Sequence, residues 1–164
     1  MKQKTLFIVM AAALVAADQA IKSVIRKYAV GAVLLRFPPF LEITYQRNTG
    51  AAFSIMGQYP QFLTLLTFAL LCIIAWAAMR MMKLTVAGRL FTALLIAGGA
   101  GNLIDRILFG YVTDYIRLLF IDFPVFNLAD ILITSSVFVI ILLLISGRLE
   151  QQGNLSENKH GSNH

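Results

Sequence analysis

The sequence has few of the residues from which most hydrolytic and metal sites are built. It contains one cysteine, Cys72, so an intrachain disulfide is impossible, and its apolar neighbours predict a buried side chain that only fills space. The two histidines, His160 and His164, both lie in the polar C-terminal tail. A Ser-His-Asp triad and a histidine-bearing zinc site within the hydrophobic part of the chain are therefore excluded.

Charged residues are also scarce. Of the 164 residues, 13% are charged and 59% are hydrophobic, whereas a soluble domain is about 45–50% apolar. The composition therefore predicts a membrane protein. The formal net charge of +6 is spread thinly along the chain. Because no basic face of the kind that binds nucleic acid is present, membrane lipids are the expected partner and nucleic acid is not.

Long hydrophobic runs account for most of this composition. Four runs are each long enough to cross about 30 Å of hydrocarbon at about 1.5 Å per residue. We expect transmembrane helices at about residues 6–25, 61–79, 90–108 and 127–146. Residues 1–150 then form a single membrane domain, and residues 151–164 form a disordered tail on the cytoplasmic side.

The segment between the first two runs has a different pattern. Within residues 28–58, Pro38-Pro39 is followed by the alternating Leu41–Tyr45 and by turn residues at Asn48–Gly50. This pattern predicts a small β element on the membrane surface. The predicted fold class is a membrane all-α bundle of four transmembrane helices with this interfacial β element between helices 1 and 2.

Four of the eight acidic residues lie within or beside the hydrophobic runs. Asp18 interrupts the first run, Asp105 ends the third, Asp130 opens the fourth, and Asp114 lies in the connection before it. An ionised carboxylate at membrane depth costs on the order of 3 kcal/mol, so such residues usually face the protein interior and have a function. The first and third runs are parallel, and Asp18 and Asp105 lie about 18 and 22 Å along them. The spacing therefore predicts that all four carboxylates gather in one leaflet.

Their neighbours predict different roles for these carboxylates. Lys22 lies four residues after Asp18 on one helical face, and Arg106 is adjacent to Asp105, so both cations are expected to pair. Asp114 and Asp130 have no such cation, although Arg117 is three residues from Asp114. Two close carboxylates share a proton, so one can be a general base for water and the other a general acid. Such a pair cleaves peptide bonds without a metal or a cofactor.

Structural roles remain open for each of these features. Asn127 could cap the fourth helix, and Asp130 would then be a favourable acidic residue in its first turn. Asp114 could belong to a salt-bridged loop, and Gly98–Gly101 more simply allows close helix packing than phosphate binding. Two further functions also remain open, a proton-coupled carrier or small channel and a membrane scaffold without catalysis.

Five sequence blocks, taken in order, resemble those of bacterial lipoprotein signal peptidase, also called signal peptidase II. The blocks are DQAIK at Asp18–Lys22, NTGAAF at Asn48–Phe53, GGAGNLIDR at Gly98–Arg106, VTDY at Val112–Tyr115 and FNLAD at Phe126–Asp130. The resemblance implies an aspartyl endopeptidase that removes signal peptides from prolipoproteins on the N-terminal side of a diacylglyceryl-modified cysteine. By the family pattern, Asp114 and Asp130 are the catalytic pair.

The resemblance also implies which residues support the site and where the protein lies. The supporting and substrate-binding positions are Asp18, Lys22, Asn48, Gly50, Asn102, Asp105, Arg106, Asn127 and Ala129. The Lys and Arg counts on the two sides are equal, so the charge rule for orientation is nearly uninformative. The family places the protein in the bacterial inner membrane, with both termini in the cytoplasm and the site near the periplasmic face. We expect a monomer whose partners are lipid-modified prolipoproteins and membrane lipids.

Overall fold

The computed structural model describes residues 2–50, 60–80 and 84–149. The end of the predicted β-containing segment and the whole predicted C-terminal tail lie outside these residues.

Four helices in the described part of the chain are long and apolar enough to cross a membrane. They are α1 (Lys2–Ile25), α2 (Pro60–Arg80), α3 (Val86–Phe109) and α4 (Leu128–Ile145). The predicted four-helix membrane fold is thus confirmed. The third helix begins four residues before the predicted position, because the Thr85 hydroxyl caps it by accepting a hydrogen bond from the Gly88 N–H.

Helix α3 is the centre of the bundle and packs against α1, α2 and α4. Glycines make this packing close, as the run Gly98–Gly101 predicts. A Cβ atom at Gly98 would lie 2.5 Å from the Ala129 carbonyl oxygen of α4. A Cβ atom at Gly101 would lie 2.6 Å from a carboxylate oxygen of Asp18 in α1. Helix α1, which carries Asp18, and helix α4, which carries Asp130, therefore pack directly against the backbone of α3.

Three strands form one antiparallel sheet in the order β1 (Val33–Phe37), β2 (Leu41–Asn48) and β3 (Val112–Leu118). The first two strands confirm the predicted β element between α1 and α2. The third strand lies in the connection between α3 and α4, for which the sequence pattern predicts no strand. In the register of β2 and β3, Gln46 is opposite Asp114. The sheet therefore fixes the position of Asp114.

Buried side chains are concentrated where the sheet meets the helices. Ile25, Tyr45 and Tyr115 form a small hydrophobic core there. Many large apolar side chains of the helices point outward, including Leu65, Ile73 and Phe138, as expected for surfaces that face lipid. Cys72 also lies on such a surface, so its predicted burial is wrong. The physical reason is that α2 packs mainly against α3, which leaves most of its circumference outside the bundle.

Candidate active site

A buried ion-pair network joins α1 to α3. The Nζ atom of Lys22 lies 2.9 Å from Oδ2 of Asp18 and 3.5 Å from Oδ2 of Asp105. Nη1 of Arg26 lies 3.2 Å from Oδ1 of Asp105. Lys22 and both carboxylates are at most 1% exposed, so each charge depends on its partners. The predicted pairing of Asp18 with Lys22 is present.

The predicted pairing of Asp105 with Arg106 is wrong. Adjacent residues on a helix point about 100° apart, so they do not share a face. Asp105 faces α1, where Lys22 and Arg26 pair with it, and its Oδ2 also accepts the Thr113 N–H at 2.8 Å. Arg106 instead lines a cavity and donates to the Gly50 carbonyl oxygen at 3.4 Å.

Asp114 and Asp130 are joined through two asparagine side chains. Nδ2 of Asn127 donates to Oδ1 of Asp114 at 2.6 Å and to Oδ1 of Asn102 at 3.2 Å. Nδ2 of Asn102 donates in turn to Oδ1 of Asp130 at 2.7 Å. Nδ2 of Asn48 donates to the other oxygen of Asp114 at 2.9 Å. The structure therefore brings together both candidate catalytic residues and three of the predicted supporting residues.

Neither of these carboxylates forms an ion pair within 4.0 Å among the described residues. Arg117, the cation nearest to Asp114 in sequence, lies 3.2 Å from a carboxylate oxygen of Glu42. Residues three apart on a strand point to opposite faces, which explains why Arg117 does not reach Asp114. A salt-bridged loop is therefore not the role of Asp114.

The helix-capping role of Asn127 and Asp130 is confirmed, and it coexists with the contacts to the other side chains. Asn127 is the N-cap of α4, and its Oδ1 accepts the Asp130 N–H at 3.0 Å. Oδ2 of Asp130 accepts the Asn127 N–H at 3.1 Å, completing a capping box. Ala129 between them is fully buried. The cap therefore holds Asp130 at the start of α4 in a single position.

A cavity of about 1180 Å³ contains this pair. Its polar end is lined by Asn48, Asn102, Arg106, Asp114 and Asp130, and its longer apolar part runs between α2, α3 and α4. The apolar wall includes Leu70, Leu71, Leu95, Ile131, Val137 and Phe138. The arrangement can hold a long apolar ligand with a polar group at the two carboxylates.

Burial, and after it the nearby charge of Asp130, raise the pKa of Asp114 to about 7. Hydrogen bonds from Asn48 and Asn127 and the charge of Lys22 oppose this rise. The Asp114 carboxyl therefore exchanges its proton near neutral pH, which suits acid–base chemistry.

The structure also places at this site three residues that were not predicted from the sequence as site residues. Arg26 pairs with Asp105, and Nε2 of Gln19 donates to Oδ1 of Asp105 at 3.2 Å. The hydroxyl of Tyr115 accepts the Leu128 N–H at 3.1 Å in the first turn of α4. The one signal available for Arg26 was its spacing, four residues after Lys22 on the same helical face.

Comparison with known proteins finds relatives that match nearly the whole chain. Residues 10–146 match the family model described as Signal peptidase (SPase) II. The lipoprotein signal peptidase of Streptococcus pneumoniae (strain ATCC BAA-255 / R6) is 36% identical over 155 residues, covering 94% of this chain and 100% of that protein. The lipoprotein signal peptidase of Streptococcus pyogenes serotype M1 is 37% identical over 153 residues, covering 93% and 99%.

A solved structure is similar over nearly the same length. It is described as a bacterial membrane enzyme structure obtained by the in meso method at 2.3 Å resolution. The TM-score is 0.81 with 32% sequence identity, and the match covers 92% of this chain and 94% of that chain.

Proposed function

The chain belongs to the signal peptidase (SPase) II family, and we propose that Asp114 and Asp130 together hydrolyse the bond between signal peptide and lipoprotein. As a member of this family it is a membrane peptidase that removes the signal peptides of prolipoproteins. The observation that carries the role of the two carboxylates is their shared link through Asn102 and Asn127 inside one cavity, where neither forms an ion pair with a described residue.

In the proposed reaction the pair holds one proton. The ionised carboxylate accepts a proton from water as the water oxygen attacks the scissile carbonyl carbon. The protonated carboxyl donates its proton to the carbonyl oxygen. As the C–N bond breaks, the proton taken from water passes to the leaving amine, and the former carbonyl oxygen returns its proton to the pair. The raised pKa of Asp114 supports a proton on the pair at neutral pH. Because the proton belongs to the pair, the two roles are assigned to both residues jointly.

The supporting residues position this pair and the substrate. Asn48, Asn102 and Asn127 orient the carboxylates, while Asp18, Lys22 and Asp105 anchor α1 against α3. Arg106 lines the cavity and contacts the Gly50 carbonyl. We assign the guanidinium of Arg106 to binding of substrate carbonyl groups, because it lines the cavity and its one hydrogen bond to a described residue is to the Gly50 carbonyl.

The cavity also suits the lipid on the substrate. A diacylglyceryl-modified cysteine carries two acyl chains, which stay in the hydrocarbon while the peptide reaches the polar end of the cavity. Helices α2 and α4 supply the apolar walls that such chains require. A lipid-anchored substrate can therefore approach by lateral diffusion in the bilayer.

The proposed location is the bacterial inner (plasma) membrane, with both termini in the cytoplasm and the site near the periplasmic face. The sequence from the last residue of α2 to the first turn of α3 carries Arg80, Lys83 and Arg89, which favours the cytoplasm for that end. The end of α4 lies at the same end of the bundle, since the Thr85 N–H donates to the Leu149 carbonyl oxygen at 3.0 Å. We propose that the protein acts as a monomer and without a cofactor.

The test is cleavage of a diacylglyceryl-modified prolipoprotein by purified Asp114→Asn and Asp130→Asn variants. Each variant is expected to lose activity by about 100-fold or more, because an essential acid or base is lost. Lys27→Gln is the control for removal of a charge, since Lys27 is exposed and outside this cavity. Wild-type turnover by either site variant would remove that residue from the catalytic pair.

A further inference from the structure

A second cavity of about 450 Å³ opens next to the one that holds the two carboxylates. The two cavities share Gln46, Phe123, Pro124 and Val125 in their walls. The volume falls within the range of about 300–1,000 Å³ that is usual for ligand sites. The two cavities therefore adjoin, and a chain that occupies the first can continue into the second past these shared residues.

The second cavity differs from the first in what lines it. Its wall includes Arg117 and Asp122, both exposed, and no residue of the four helices. The first cavity reaches between the membrane-spanning helices instead. The second cavity therefore faces the aqueous side of the protein, whereas the apolar part of the first faces lipid.

The distance between the carboxylates and this second cavity suits a short extended peptide. Gln46, which lines both cavities, is directly opposite Asp114 in the sheet. Arg117 follows Asp114 by three residues along β3, which is about 10 Å at roughly 3.3 Å per residue, and its side chain leaves the opposite face of the strand to line the second cavity. A substrate strand advances by the same amount, so about three residues separate the cleaved bond from Arg117.

This inference rests on the proposed function. Some parts of the substrate are stable in lipid, and others are stable in water. The signal peptide and the acyl chains are apolar and can remain among the helices. The chain that follows the cysteine is the start of a secreted protein and has to leave into water. We propose that the second cavity binds the two to four residues after the lipid-modified cysteine, and that Arg117 and Asp122 select their charge.

The experiment compares three diacylglyceryl-modified substrates that differ only in the third residue after the cysteine, which is Ser, Asp or Lys. Arg117→Glu should raise the ratio of kcat/KM for the Lys substrate to that for the Asp substrate by about two- to fivefold, the size of an exposed charge interaction. Asp122→Lys should lower the same ratio by a similar factor. Shifts of this ratio in opposite directions in the two variants would show that Arg117 and Asp122 act on the same bound part of the substrate.

Two further variants guard against effects on folding. Arg117→Gln keeps Glu42 paired with Arg36, which lies 2.7 Å away, and should move the ratio in the same direction as Arg117→Glu but less. Lys27→Glu reverses a charge at an exposed residue that lines neither cavity, and should leave the ratio unchanged.

The outcomes separate this inference from the proposed function. An unchanged ratio in Arg117→Glu and Asp122→Lys, with the Ser substrate still cleaved, would overturn the inference alone. A shift in the same direction for both variants would also overturn it. If the wild-type protein cleaves none of the three substrates, the proposed function fails and this inference fails with it.

Discussion

The two carboxamides between Asp114 and Asp130 can each be oriented in only one way. The ammonium of Lys22 is a donor without acceptor capacity, so Asn102 must present its oxygen to it, at 2.9 Å. The NH₂ group of Asn102 then faces Asp130. Asn127 uses its oxygen for the helix cap, so its NH₂ group faces Asp114. Residues outside the pair therefore supply each carboxylate with a fixed N–H donor.

Asn48 offers a way to move the acidity of Asp114 without touching either carboxylate. Its N–H stabilises the ionised form, so Asn48→Ala should raise the pKa of Asp114 above its present value of about 7. Because the pair needs one proton, activity is lost as pH rises through that pKa. A hydrogen bond to a charged group contributes about 1.5 kcal/mol, and about 1.4 kcal/mol corresponds to one pKa unit. The alkaline limb of kcat/KM should therefore move upward by about one pH unit.

The measurement is the pH profile of kcat/KM for Asn48→Ala beside that of Thr134→Ala. Thr134 lines the same cavity, and Asp114 takes its side-chain hydrogen bonds from Asn48 and Asn127 instead. The profile of Thr134→Ala should keep the wild-type limb. A downward movement of the limb in Asn48→Ala would contradict the role given to this hydrogen bond.

At the scale of elements, the distance between α3 and α4 sets the distance between Asn102 and Asp130. Gly98 permits this distance, because a Cβ atom there would lie 2.5 Å from the Ala129 carbonyl oxygen and 2.9 Å from Cγ1 of Ile133. The Ala129 carbonyl belongs to the backbone and cannot rotate aside as a side chain can. Gly98→Ala should therefore push α4 away from α3. We expect at least a tenfold loss of cleavage and about 1–3 kcal/mol of destabilisation from overpacking.

Gly99→Ala is the matched control for this substitution. The nearest atom to a Cβ there is Cδ2 of Leu71 at 2.6 Å, the end of a flexible side chain that can rotate aside. Both changes gain the same helix propensity, about 1 kcal/mol, so the difference in their unfolding temperatures isolates the contact with α4. Thermal unfolding in detergent and cleavage rates measure the two effects. Equal losses in both variants would show that α3–α4 spacing is not the cause.

The sequence predicted the helices well because each is an apolar run long enough to span hydrocarbon. It did not predict β3, where the pattern of Val112–Leu118 is mixed and most residues are buried. This strand forms because β2, more than 60 residues earlier in the chain, offers a paired edge. The local sequence pattern gives no information about such a distant partner. The strand that positions Asp114 could therefore not be predicted.

The same limit applies to partners of charged residues. Spacing on one helix found Asp18 with Lys22, because both ends of the pair lie on the same face. The partners of Asp105 come from another helix and those of Glu42 from two strands. For Asp105 the predicted partner, its sequence neighbour Arg106, was wrong, since adjacency along a chain does not bring two side chains onto one face.

At the scale of the whole molecule, the site lies at one end of the bundle, and the start of α1 and the end of α4 lie at the other. Asp122 is an exposed residue of the loop beyond β3, and Ser146 is exposed where α4 ends. If the proposed orientation is correct, these two positions lie on opposite sides of the membrane. A cysteine at each position can be distinguished with a thiol reagent that does not cross membranes.

The native Cys72 has to be removed first, and its location makes that simple. It lies exposed on α2, toward lipid, so Cys72→Ala should retain cleavage activity. In that background, Asp122→Cys should react with the impermeant maleimide in intact cells. Ser146→Cys should react only after the membrane is permeabilised. Labelling of Ser146→Cys in intact cells would reverse the orientation, and it would place the two carboxylates in the leaflet opposite to the one in which a secreted substrate emerges.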